Sequence, residues 1–193
     1  YIMNEIKSSV KLSENIYEGI GQSVCQADII VPDNMPDILK ILQVSAVAQK
    51  ENKIISKGKI SFTGKIKVDI IYMPESMSGV RCIKYDIPLS FAENVSAAEE
   101  GMFIAIDAKV VHLEYQMVNS RKINVKAIVE AKSKVTANKN IEYICGVEDL
   151  EVQMREKHIK ASSVVLSAEK EVITKEDIQI PQAAENIIKL ITD

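Results

Sequence analysis

Alternation with a period of two dominates this chain. From Ile60 through Phe62, Gly64, Ile66, Val68, Ile70 and Tyr72 every second residue is apolar or glycine, and Lys59, Ser61, Thr63, Lys65, Lys67 and Asp69 fill the gaps. Successive side chains of an extended strand point to opposite faces, so this run predicts a half-buried strand with one wet face. Ile123, Val125, Ala127, Val129, Ala131 and Val135 do the same against Lys122, Asn124, Lys126, Glu130, Lys132 and Lys134. A helix would scatter either set around its circumference. Between Phe103 and Val118 the phase changes: Ile104, Ile106, Ala108 and Val110 share one, Val111, Leu113, Tyr115 and Met117 the other. That flip predicts a β-bulge, or a strand passing from one sheet to a second. Asn119-Ser120 reads as the turn into the next antiparallel strand. Leu150, Val152 and Met154 mark a further strand, and the region from Ile159 to Val172 one or two more.

Two segments depart from alternation. After Asp33 and Asn34, either able to cap, Pro36 suits a first helical turn, and Ile38, Leu39, Ile41 and Leu42 would share one helical face. A short helix is therefore expected over Pro36–Leu42, and a second over Ala183–Leu190. The expected fold class is mainly β: an antiparallel β-sandwich-like module with one or two short helices.

Those two segments also match each other. Asp28–Leu42 reads D-I-I-V-P-D-N-M-P-D-I-L-K-I-L, and Asp177–Ile191 reads D-I-Q-I-P-Q-A-A-E-N-I-I-K-L-I. Without a gap, Asp28, Ile29, Pro32, Ile38 and Lys40 fall on Asp177, Ile178, Pro181, Ile187 and Lys189, and the match extends weakly back to Val10 on Ile159 and Ile16 on Val165. Shared strand, proline and apolar pattern point to a tandem repeat. The expected division is a first module over residues 1–156 and the start of a second over 157–193. Gln182, Ala183, Ala184, Glu185 and Asn186 replace Asp33, Asn34, Met35, Pro36 and Asp37 in the later copy. The first string is read as a helix cap rather than a binding signature. Such repetition suits assembly better than catalysis.

The formal charge of −3 excludes nucleic acid as the main partner, because phosphate binding needs a positive field. No apolar run spans a bilayer, so no membrane insertion is expected. Cys25, Cys82 and Cys145 form no C-x-x-C pair and read as buried free thiols of a reducing, cytoplasmic compartment. His112 and His158 lack partners at metal-ligand spacing, so no metal is expected. Gly19-Ile20-Gly21 lacks the third glycine of a dinucleotide loop and reads as a strand bend or bulge. No phosphate-binding G-x-x-x-x-G-K-[ST] string occurs, Glu99-Glu100 reads as a solvated turn, and no serine or cysteine sits in a nucleophile elbow. Catalytic residues and cofactors are both expected to be none. The lysine rows read first as wet sheet faces and, more sharply, as a basic face that docks an acidic partner.

The string V-P-D-N-M-P-D-I-L-K-I-L-Q-V-S-A (Val31–Ala46) resembles the opening of the SPOCS domain, and V-H-L-E-Y-Q-M-V-N-S-R-K-I-N-V-K-A (Val111–Ala127) resembles that family's second signature. Between them, Gly58–Tyr72 and Tyr85–Phe91 resemble its central strands, so the likeness covers residues 28–136. The resemblance implies a SipL-like spore-coat morphogenesis protein of endospore-forming bacteria, a family often carrying a C-terminal LysM domain that these residues lack. It also implies the mother-cell cytoplasm, the forespore surface and spore coat as location, and the coat basement-layer ATPase or other coat proteins as partners, with self-association besides. The leading expectation is thus a non-enzymatic adaptor whose partner-binding residues are unknown, with the Pro36–Leu42 segment one candidate. The alternative is a peptidoglycan- or polysaccharide-binding module using Tyr72, Tyr85, Tyr115 and Tyr143, although alternation turns Tyr72 and Tyr115 inward.

Overall fold

A computed structural model describes residues 5–76, 79–147 and 157–165. Six strands follow in order: β1 (Glu5–Ile30), β2 (Ile38–Ser56), β3 (Lys59–Pro74), β4 (Arg81–Asn94), β5 (Phe103–Asn119) and β6 (Lys122–Val147). They form two antiparallel sheets, ordered β1-β6-β5 and β2-β3-β4. The chain crosses between sheets after β1 and again after β4. The inner faces enclose one main core in which Ile29, Phe62, Ile66, Val68, Ile70, Tyr72, Ile123, Val125 and Val129 are fully buried. Both long alternating runs occupy central strands, β3 and β6, each flanked on both sides. The β-sandwich expectation is therefore met.

The expected helix over Pro36–Leu42 is not there. Residues from Ile38 onward belong to β2, and no helix occurs among the described residues. The reason is visible in the register. Ile38 faces Pro74 but Lys40 faces Met73, and Ile41 faces Tyr72 but Gln43 faces Ile71. Leu39 and Leu42 are thus the extra residues of two successive bulges. Each bulge turns the side-chain alternation by one position, so Ile38, Ile41 and Val44 all point inward at a spacing of three. Two bulges in a strand imitate helical periodicity. The second expected helix, Ala183–Leu190, and the expected Leu150–Met154 strand lie outside the described residues.

The phase flip in β5 is a bulge as expected: Val110 faces Val129 while His112 faces Ile128, leaving Val111 extra and exposed. The turn after it closes on Ser120 and Arg121, one position later than the sequence suggested. Residues 157–165 carry no strand, and the rest of the Ile159–Val172 region, for which one or two strands were expected, lies outside the described residues. Their contacts run mainly to side chains rather than along a ladder. Gly19 and Gly21 lie inside unbroken β1, and the nearby bulge falls at Ile16. Their missing side chains make room for rings: a Cβ at Gly19 would meet the Tyr17 ring, and one at Gly21 would come within 2.6 Å of Phe91.

The seams between the sheets are closed by polar side chains. Lys50 Nζ donates to the Ile106 carbonyl, and Lys53 Nζ to that of Ile104 at 3.5 Å, which ties β2 to β5. Across the other seam Ser23 Oγ donates to the Ser90 carbonyl at 3.2 Å, and the Tyr17 hydroxyl donates to Glu93. Among the described residues one part of the first sheet has no second sheet across it. β5 pairs with β6 only from Lys122 to Thr136. Beyond that, Glu5–Asn15 and the end of β6 pair with each other as a two-stranded ribbon extending past the sandwich, with no third strand among the described residues.

Candidate functional site

The two strings that carried the resemblance meet at one corner. The connection from β1 to β2 (residues 31–37) must leave one sheet for the other, which strands its backbone carbonyls outside any ladder. The β5–β6 turn supplies their donors. Arg121 Nη2 donates to the Val31 carbonyl at 3.1 Å and the Pro32 carbonyl at 3.2 Å, and Nη1 to the Met35 carbonyl at 3.5 Å. Nη1 also lies 2.5 Å from Asp37 Oδ1, and Nη2 3.4 Å from Asp33 Oδ1. A planar guanidinium can serve several acceptors at once where a lysine ammonium could not. Ser120 Oγ donates to the second Asp37 oxygen at 3.0 Å.

Backbone bonds complete the clasp. Val31 N–H donates to the Arg121 carbonyl at 2.9 Å and Ile38 N–H to the Ser120 carbonyl at 2.8 Å. Asn119 Oδ1 accepts the Arg121 N–H at 2.8 Å, an Asx turn that fixes the corner. Beneath it the buried Tyr72 hydroxyl donates to the Pro36 carbonyl at 2.9 Å. Burial pushes the Tyr72 phenol up, and the Arg121 guanidinium, then Ser120, holds the Asp37 carboxyl below its ordinary range.

The cap reading of Asp33–Asp37 therefore gives way to a structural one: Asp37 anchors Arg121, and the string holds the crossover between sheets. Sequence reasoning did not single out Arg121 or Asp37, which stand far apart in the chain. Their signal was the resemblance itself, since both signatures carry a charged residue beside a turn.

The lysine rows are not a uniform basic face. On the outer face of the first sheet, Lys122 Nζ lies 2.7 Å from Asp28 and Lys126 Nζ 3.9 Å from Glu114, while Lys132 stands opposite Asp107 and Lys134 opposite Glu18. On the second sheet Lys65 Nζ lies 2.8 Å from Asp86. Opposite charges directly across a ladder stabilise the pairing. Lys122, then Asn124, lowers the Asp28 carboxyl; His112, then Lys126, lowers that of Glu114; Asp86 raises Lys65.

His112 Nε2 lies 2.8 Å from Glu114 on the exposed face of β5. Among the described residues no three His, Cys, Asp or Glu side chains stand close enough to hold a metal ion. Glu99-Glu100 leads into a turn at Gly101, whose φ is +89°. Cys25 is buried, and that burial raises its thiol, but Cys82 is only partly buried and Cys145 is exposed, contrary to three buried thiols. The tyrosines do not converge. Tyr72 is in the core, Tyr85 lies on β4, Tyr143 on the ribbon, and Tyr115 is 48% exposed despite its inward register.

Tyr115 belongs instead to an apolar stretch along the β2–β5 seam. Leu39 and Leu42, the two bulge residues, and Tyr115, Met117 and Val118 are each 41–54% exposed. The Ile38–Ser120 bond fixes one end of this seam and the Lys50–Ile106 bond the other.

Residues 37–118, from the start of β2 to the end of β5, match the family model described as SipL, SPOCS domain. The matched span is less than half of the chain, and it is the stretch that builds the second sheet and its crossing to β5. The match supports the SPOCS resemblance that the signatures suggested, over that segment. No curated protein and no solved structure matches it.

Proposed function

We propose that this chain is a non-enzymatic assembly module of the spore coat, an adaptor joining coat proteins during endospore formation, with the ATPase that polymerises into the basement layer as principal partner. The family of the matched segment implies a sporulation-related role. One observation carries the finer reading, the exposed apolar stretch of Leu39, Leu42, Tyr115, Met117 and Val118 along the seam. Single exposed apolar residues are ordinary, but five on two neighbouring strands point to a contact surface. Of the charged residues near it, Glu114 is paired with His112 and Lys126, and Lys122 with Asp28.

Biolayer interferometry against the purified ATPase tests this. The native chain binds saturably, and Leu42→Lys or Met117→Lys weakens binding by at least about tenfold, since each buries a charge in the contact. Unchanged binding by both variants would place the contact elsewhere. Failure of the native chain to bind, with retention on cell-wall material, would replace the adaptor by a polysaccharide-binding module.

A further inference from the structure

The ribbon of β1 and β6 holds the chain that follows it through a contact between equivalent positions of the repeat. Extended backwards, the repeat alignment sets Val10-Lys11-Leu12-Ser13 on Ile159-Lys160-Ala161-Ser162. In the folded molecule those two serines touch. The Ser13 N–H donates to the Ser162 carbonyl at 3.1 Å, and the Val164 N–H donates to Ser13 Oγ at 2.5 Å. Asn138, opposite Ser13 on β6, donates from Nδ2 to the Val164 carbonyl at 2.7 Å and accepts from Ser13 Oγ, also at 2.7 Å.

The two bonds from Ser13 straddle Ser163, so the segment meets the β1 edge much as an added strand would, with the serine hydroxyl standing in for a main-chain carbonyl. β1 is the outer strand of its sheet, and an outer strand offers unpaired main-chain groups to any extended segment. The site lies at the base of the ribbon. There the first module no longer supplies a second layer, and a two-stranded ribbon is at best marginally stable alone.

We propose that the β1 edge at Ser13, with Asn138, is a docking edge for the extended segment that follows the first module, occupied here by Ser162–Val164 of the same chain, and that it forms the joint between successive units. The docked segment contributes main-chain groups of Ser162 and Val164, and the edge contributes the Ser13 amide and hydroxyl and the Asn138 side chain. This rests on the repeat and not on the coat-protein reading, so ATPase binding can fail without touching it.

Hydrogen exchange on the full chain, followed at single amides, tests the joint. The Ser13 and Val164 amides are protected in the native chain. Ser13→Ala and Asn138→Ala each speed exchange at Val164 by roughly tenfold, the loss of about one hydrogen bond, while Val68 and Val129 in the sandwich are unchanged. Replacing Ile159 and Ala161 (I159V with A161L) keeps the protection, because both side chains are exposed and the contact uses main-chain groups of Ser162 and Val164. Free exchange at Val164 in the native chain would overturn the proposal, as would protection that survives both variants. An equal rise at Val68 and Val129 would also overturn it, because the residues would then be supporting the whole fold. Loss of protection in the I159V/A161L chain would overturn the main-chain reading of the contact.

Discussion

β1 and β6 run side by side for their whole length but live in two environments. From Tyr17 to Ile30 and from Lys122 to Val135 they are two strands of a covered sheet: β5 flanks β6, the second sheet lies across the inner face, and Ile29, Ile123, Val125 and Val135 are sealed. From Lys7 to Asn15 the same two strands also pair residue for residue, yet Ile141 and Tyr143, on the ribbon's continuation of the inner face, are 42% and 49% exposed. Val10 and Leu12 share that face and are only half-buried. Pairing is therefore the same in both regions, and coverage differs. Hydrogen-bond ladders exchange water bonds for protein bonds at small net gain, whereas removing apolar surface from water carries most of the stability.

The largest effects are expected in the covered body. Ile66→Ala, at a fully buried position on β3, destabilises by about 3 kcal/mol, because the lost transfer energy is joined by the cost of a cavity that packed neighbours cannot fill; urea unfolding measures it. Gly64→Ala follows at about 2 kcal/mol, the scale of an overpacked core. A Cβ there would sit 2.1 Å from the Gln49 carbonyl of β2, and backbone in a ladder cannot swing aside as a side chain can. Arg121→Ala comes next at about 1.5 kcal/mol, the worth of a charged donor set lost from crossover carbonyls that have no ladder. Arg121→Lys should recover only part of it, since an ammonium lacks the flat fork. Should Arg121→Ala exceed Ile66→Ala, the corner rather than the layered core would dominate stability.

The same contrast explains what was legible in the sequence. The strands of the body announced themselves because Ile60–Tyr72 and Ile123–Val135 alternate without interruption on central strands, where one wrong phase would bury a lysine. The bulge at Val111 was readable because enough alternation survives on each side to show two phases. Leu39 and Leu42 were not, since two bulges three residues apart leave no run of alternation between them and produce the spacing of a helix. The clasp was hidden for another reason. Arg121 meets Asp37 and the Val31 carbonyl across 84 and 90 residues of chain, and no local pattern encodes which turn meets which crossover. Cross-strand acids such as Asp28 and Asp107 were equally invisible, so the lysine rows looked more basic than they are.

Acid should act on the clasp before it reaches the core. Asp37 is held below its ordinary range by Arg121 and then Ser120. A carboxyl depressed in the folded state contributes stability that is complete above its unfolded value, near 3.9, and lost as pH falls through the lower folded one. Thermal melts of the native chain should therefore show a loss of Tm that sets in only below about pH 4, with Asp28 and Glu114 adding in the same direction. Asp37→Asn, the residue of the later repeat copy at this position, removes the Arg121 contribution, so its deficit is present at neutral pH and shrinks in acid. A deficit that grew on acidification would show that Asp37 is not the group titrating.

The smallest effect separates the two regions most sharply. Ile141→Ala, on the inner-face stripe of the ribbon opposite Val10, removes as much hydrocarbon as Ile66→Ala. Yet its side chain already meets water, so no sealed cavity forms and little transfer energy is lost. The expected change in global stability is under about 0.5 kcal/mol, the range of surface substitutions. Exchange of the Val10 and Leu12 amides should quicken locally while urea unfolding of the sandwich holds its midpoint. A cost approaching that of Ile66→Ala would mean that the stripe is covered in solution, and the ribbon would then be a buried element of a larger assembly. Repeating the pair of measurements over a range of protein concentrations distinguishes a cover supplied by the chain itself, which is insensitive to dilution, from one supplied by a second copy, which dilution removes.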